Sequence, residues 1–175
     1  MRAMLVDYDP GWPGMFREIA AELRMLGDAA WEIEHIGSTA VPGMKAKPII
    51  DVAVRLVGVD GLGDHLVRLE DAGWRIGSGV RTHPVLVFEP DGIRTRIAHF
   101  FPTEQWDAAN QRILRDWLLT HPDDAAHYLA AKEAAVEDAV AGRARYNTGK
   151  TAVIQEIVDR ARAARGLASV PVYDK

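Results

Sequence analysis

Residues 34–54 read EHIGSTAVPGMKAKPIIDVAV, and the order of features in this stretch decides the fold. The runs WEIEHIG (31–37) and IIDVAVRLV (49–57) are short, rich in β-branched residues and bounded by Gly and Pro, which predicts two strands. The second is apolar at successive positions, as in a strand buried on both faces. Between them stand Gly37, Ser38 and Thr39, then a loop carrying Lys45 and Lys47. Gly37 has no Cβ and lets a phosphate approach the backbone, while the hydroxyls of Ser38 and Thr39 can donate to phosphate oxygens. A Gly-Ser pair is more often a plain turn. The functional reading gains weight from Asp51, thirteen residues after Ser38 at the start of the second strand, where a carboxylate can hold a divalent ion such as Mg²⁺ that bridges nucleotide phosphates. Lys45 and Lys47 then add charge for the same phosphates; without that context both read as solvated surface. Position 53, where a metal site takes a second acid, holds Ala53.

Outward from this block, GMFREIAAELRML (14–26) spaces Phe16, Ile19, Leu23 and Leu26 as an amphipathic helix with Pro13 at its start. GLGDHLVRLEDAGW (61–74) is again helical through Leu62, Leu66 and Leu69, with Gly73 as its C-cap. VLVFE and IRTRIAHFF flank PDG and predict a hairpin, whose alternation sends Arg94, Arg96 and Ala98 to one face and Ile93, Thr95, Ile97 and His99 to the other. After Pro102 three helices are predicted, over 104–120, 123–141 and 147–165. The expected organisation is a single domain over 1–166, an α/β core (1–102) with a helical lobe (103–166), and a flexible tail over 167–175.

Composition narrows the function. The chain of 175 residues carries a net charge of −4, which argues against a general affinity for nucleic acid but leaves room for a local basic pocket. With no cysteine, a disulfide framework, a thiolate zinc site and a thiol nucleophile are all excluded. No segment reaches the length of a membrane span and the N-terminus lacks the apolar core of a signal peptide, so a cytoplasmic protein is expected.

Five segments together, YDPGWPGMF (8–16), EHIGSTAVPGMKAKPIIDVAV, RTRIAHF (94–100), LRDWLLTHPDDAAHYLAAK (114–132) and YNTGK (146–150), resemble the GrpB family of the nucleotidyltransferase superfamily over roughly residues 6–163. The resemblance implies a mixed sheet flanked by helices, with Gly37 and Ser38 as the phosphate turn and Asp51 as the first metal acid. It also implies transfer of a nucleotidyl or phosphoryl group from an NTP to a small acceptor. Superfamily catalysts read Asp-x-Asp or Asp-x-Glu where this chain has Asp51, Val52, Ala53. The family's His-x-His after Arg-Thr is matched by Arg94, Thr95 and His99, with Ile97 in place of the first histidine. A reduced metal site, or none, follows.

Glu34 and His35 are adjacent in a strand, so at most one faces the Gly-Ser turn. Glu89 reads as an exposed acid beside a turn. Arg115, Lys132 and Lys150 stand one per predicted helix, where the family carries basic residues; helical charges are usually solvated, but three converging on a cleft would clamp a triphosphate. Tyr146 can stack on a base, although core packing is its commoner fate. Two functions are therefore expected to compete. One is an NTP-dependent transferase with Mg²⁺, activation of a carboxylate for ligation being among its expected reactions, and the other is a nucleotide- or metabolite-binding module that has lost the full metal site.

Overall fold

The first helix begins two residues ahead of expectation because the chain is already turning there. Asp9 accepts from Gly11 N through Oδ1 at 2.7 Å and from Trp12 N through its carbonyl at 3.1 Å, which starts α1 (Trp12–Leu26) with Pro13 in its first turn. The structure is a computed structural model and describes residues 4–58, 61–80, 82–141 and 148–172. Trp12, Ile19, Ala20 and Leu23 of α1 are buried against the sheet, as the helical spacing requires.

Five strands, β1 (Glu32–Ile36), β2 (Ile50–Arg55), β3 (Trp74–Ile76), β4 (Val85–Phe88) and β5 (Arg96–Phe101), form one mixed sheet in the order β1-β2-β5-β4-β3. β2 and β5 run parallel and the other neighbours antiparallel. β2 is an interior strand with both its faces covered, which explains why its sequence hardly alternates. Ile50, Val52, Val54, Ala98 and Phe100 pack with α1 on one face. Ala53 and Phe101 point to the other, where Ile36, Trp106 and Ala109 close over them. β3 has only three residues, too few for an alternation to be read from sequence.

Two expectations are corrected. The 61–74 helix is shorter: a 3₁₀ turn (Gly63–His65) leads into α2 (Leu66–Asp71), which ends ahead of Gly73 at φ 103°, where a Cβ would stand 2.9 Å from the Phe88 ring. β5 starts at Arg96, so alternation does not extend back to Arg94. Arg96 crosses to Glu22 of α1 at 2.7 Å, whereas Arg94 pairs with Glu89 at 2.6 Å. Beyond α5, Arg162 donates to the Ala168 carbonyl and Ser169 to Asp159, and Gln155 holds both Val170 O and Val172 N.

The helical part comprises a 3₁₀ segment (Thr103–Ala108), α3 (Asn110–Thr120), α4 (Pro122–Val140) and α5 (Thr148–Ala163). The predicted 104–120 helix is thus broken at Ala109, whose extended ψ of 116° interrupts it. Leu118, Tyr128 and Ile157 bury together with Val41 and Met44 from the loop that follows the Gly-Ser turn. This contact fixes the helical lobe over that turn. Among the described residues no helix is long and apolar enough to cross a membrane.

Candidate functional site

Gly37 follows β1 directly and adopts φ 73°, a conformation that L side chains rarely hold. The register sets Ile36 opposite Asp51, and a Cβ on Gly37 would lie 2.7 Å from Asp51 Oδ2. The turn and the carboxylate that the sequence brought into one block are therefore in contact. Ser38 opens the 3₁₀ turn Ser38–Ala40. Thr39 is turned inward: 1% exposed, it donates to Ile49 O and shares a 2.9 Å hydrogen bond with His35 Nε2. With its hydroxyl proton on the carbonyl, Thr39 Oγ1 accepts from His35 Nε2–H.

His35 stacks on Phe16 of α1 and braces the turn from behind the sheet. Burial pushes its pKa down to about 4; Asp51 opposes that fall and Arg115 adds to it. Since the unfolded imidazole titrates near 6.5, the unfolded chain binds the extra proton first as pH falls. Stability from this group is complete above about pH 6.5 and is lost progressively toward pH 4. Urea unfolding at pH 7, 6 and 5 is expected to give falling midpoints, and His35→Gln to flatten that dependence.

Glu34 faces the other way, toward α3. Burial alone would raise its pKa, but hydrogen bonds from Arg112 and Arg115 outweigh this and hold the carboxyl below its usual range. Arg115 lines the cleft, yet its guanidinium is committed to Glu34, Asp116 and the His35 carbonyl. It braces α3 to β1 instead of standing ready as a phosphate clamp, a role that an ion-pair partner 81 residues away made invisible in sequence.

Lys132 of α4 does reach the turn. Its Nζ donates to Ser38 Oγ at 2.6 Å, with Tyr128 OH 3.4 Å from the same oxygen. Burial pushes the Lys132 pKa down to about 8, helped by Lys150 and Lys47 and opposed by Asp51. Three amines and one carboxylate thus sense one another across one space. Lys47, Lys150 and Arg94 also line it, whereas Lys45 turns to Glu133 and Asp7 at 3.7 and 3.9 Å. The cleft has a volume of about 780 Å³, ample for a nucleotide-sized ligand. Tyr146 lies outside the described residues.

On the sheet floor, Asp51 is 17% exposed and its Oδ1 lies 3.8 Å from Nε2 of the fully buried His99. His99 Nδ1 meets His83 Nε2 at 2.8 Å, and His83 Nδ1 meets Thr82 Oγ1 at 2.9 Å. His83 and Thr82 were not singled out from sequence. The signal was present in Arg81-Thr82-His83, an Arg-Thr followed by histidine thirteen residues ahead of the Arg94-Thr95 pair that was matched. Ala53, the cross-strand partner of Glu34, is 0% exposed in an apolar cluster, so no oxygen replaces the missing acid at that position. Among the described residues no three His, Cys, Asp or Glu side chains form a metal-binding group. The residues do not fit a resident two-metal centre. Among the described residues, a single divalent ion at the turn would have Asp51 as its carboxylate.

Comparison with known proteins agrees with this architecture. A family model described as GrpB protein matches residues 2–160. A UPF0157 protein of Pseudomonas aeruginosa is 37% identical, over 93% of this chain and 69% of its own length. Among solved structures, GrpB from Enterococcus faecalis superposes with a TM-score of 0.81 at 25% identity, covering 93% of this chain and 99% of that one. Terminal uridylyl transferase 4 from Trypanosoma brucei with bound dUTP gives 0.53 at 16% identity, covering 94% of this chain and 57% of that one. The last likeness is one of fold alone.

Proposed function

The chain belongs to the GrpB family, and from that premise we propose that its cleft binds the phosphates of a nucleoside triphosphate and serves transfer of a nucleotidyl or phosphoryl group to a small acceptor. The observation that carries this reading is the 2.6 Å contact of Lys132 with Ser38, in a cleft where Lys47 and Lys150 lie close enough to lower the Lys132 pKa. A buried amine in a cluster of like charges is unfavourable by itself, and a polyanion is the ligand that relieves it. Gly37 and Ser38 supply close backbone approach and a hydroxyl, the lysines neutralise phosphate charge, and the acceptor is held beside them. Phosphoryl transfer asks for little covalent chemistry from a protein, so positioning and charge neutralisation supply most of the acceleration. Bound Mg²⁺ would neutralise phosphate charge beside Asp51.

A second reading, a binding module without transfer, is favoured by one observation: Ala53 is sealed in apolar contacts, and among the described residues Asp51 belongs to no group of three metal-ligating side chains. One experiment separates the two. Melting temperatures are measured with ATP, CTP, GTP and UTP, each with and without Mg²⁺, for the parent chain and Asp51→Asn. Binding at 100 times Kd stabilises by about 2.7 kcal/mol, several degrees for a chain of this length. A Mg²⁺-dependent shift that Asp51→Asn abolishes supports transferase chemistry. A shift indifferent to both supports the binding module, and no shift with any nucleotide removes both in their nucleotide form.

A further inference from the structure

Among the described residues Arg162 is a buried cation without a carboxylate partner. It sits in the last turn of α5, is 6% exposed and lines the cleft. Its Nε donates to Ala168 O at 2.6 Å, and its Nη1 to Ala108 O and Asn110 Oδ1 at 3.0 and 2.8 Å. All three acceptors are neutral oxygens. Among the described residues no carboxylate pairs with Arg162, and its Nη2 makes no hydrogen bond. Guanidinium does not shed its proton in a protein, so the charge cannot be relieved by neutralisation, as it can for Lys132. The C-terminal end of the α5 dipole and the carbonyls soften the cost of burial without supplying a full negative charge.

The position of Arg162 along α5 matters as much. Lys150, Ile154, Val158 and Arg162 recur every four residues and all line the cleft, so one face of the helix presents a cation, two apolar side chains and a second cation. At 1.5 Å per residue the two cations are about 18 Å apart along the axis. Lys150 belongs to the lysine cluster around Ser38, so Arg162 stands well beyond the phosphate end. Among the described residues its partners are the Asn110 amide and the carbonyls of Ala108 and Ala168. One charge met only by neutral oxygens suits a monoanion better than a phosphate dianion.

We infer that Arg162 and Asn110 form a carboxylate subsite at the far end of the cleft, and that the acceptor is an elongated carboxylate-bearing molecule whose carboxylate is anchored there while its reacting group lies at the lysine cluster. The subsite stands on the geometry of Arg162; its assignment to the acceptor rests on the nucleotide reading above. Arg162 is a positioning residue, remote from the phosphates.

The full ¹⁵N-labelled chain is titrated with sodium acetate, sodium benzoate and inorganic phosphate at constant ionic strength set by chloride, while arginine side-chain N–H signals are followed. Arg162→Lys identifies the Arg162 signal; if that variant does not fold, contacts to Asn110 and Ala168 protons identify it in the parent chain. The expected result is a saturable shift of the Arg162 signal with both carboxylates and a smaller one with phosphate. A signal that ignores the carboxylates, or follows phosphate as strongly, overturns the subsite. ATP is added in a separate arm. A carboxylate response without any ATP response at Ser38 or Lys132 keeps the subsite and removes the nucleotide reading, and the reverse pattern removes the subsite alone.

Discussion

Replacing Lys132 with methionine is expected to remove about half or more of the rise in melting temperature that a nucleoside triphosphate at 100 times Kd gives the parent chain, while leaving the unliganded protein at least as stable at pH 7. Both halves follow from one geometry. Lys132 donates to Ser38 Oγ at 2.6 Å from a largely desolvated position, with Lys47 and Lys150 repelling it. A charge-assisted contact to phosphate contributes about 1.5–3 kcal/mol, so its loss weakens binding roughly 10- to 100-fold. In the unliganded chain the same amine is a liability. Its pKa falls from 10.5 to about 8, so between those values the unfolded chain holds a proton that the folded chain has lost, and stability rises with pH. The penalty is full below about pH 8, on the order of 3 kcal/mol, and is lifted as pH approaches 10.5. Methionine keeps the stem and removes the charge, so the variant should lose that pH dependence. Phosphate affinity of the parent chain should fall above pH 8, as Lys132 deprotonates. A Lys132→Met protein that retains the full nucleotide response would show that the phosphates lie elsewhere.

The second large effect is expected at Gly37. Gly37→Ala meets two obstacles at once: φ of 73°, which disfavours any L side chain by about 1–2 kcal/mol, and a Cβ that would approach Asp51 Oδ2 to 2.7 Å. The carboxylate lies on an interior strand, so relief requires either a rotation of Asp51 away from the turn or a shift of the turn itself. The combined loss is about 2–4 kcal/mol, which lowers the melting temperature by roughly 5–10 °C in a domain of this size. Gly43, at φ 79°, supplies the control: a Cβ there meets nothing within 4 Å, so Gly43→Ala carries the backbone strain without the clash. Circular dichroism melts of the two variants should place Gly37→Ala clearly below Gly43→Ala. Equal melting temperatures would mean that contact between turn and carboxylate contributes nothing.

Four of the five strands, the helices and the hairpin were legible because each is written in local periodicity, whereas three-residue β3 was not. The boundaries that moved did so for local reasons too: Asp9 starts α1 early, Ala109 interrupts the third predicted helix, and β5 begins only at Arg96. At the candidate site, Gly37, Ser38 and Asp51 were found because they fall within one short block. Arg94 and Arg115 carry the charge expected at a phosphate site, yet Glu89 holds the first, and Glu34 and Asp116 hold the second. His83 escaped notice because its partner, His99, is sixteen residues away on a neighbouring strand.

The sequence by itself determined the family, the order of elements, the Gly-Ser turn and the absence of an acid at Ala53, since all of these are properties of residue type and short spacing. Only the tertiary structure decided which charges are at work. Lys132, 94 residues from Ser38, is laid on the turn because Val41 and Met44 anchor the loop in the helical lobe. Arg115 is taken out of service by Glu34, and Arg162 is left without a carboxylate among the described residues. A charged side chain takes its role from the nearest opposite charge and from its distance to water, and both are set by packing between segments that are remote in the chain.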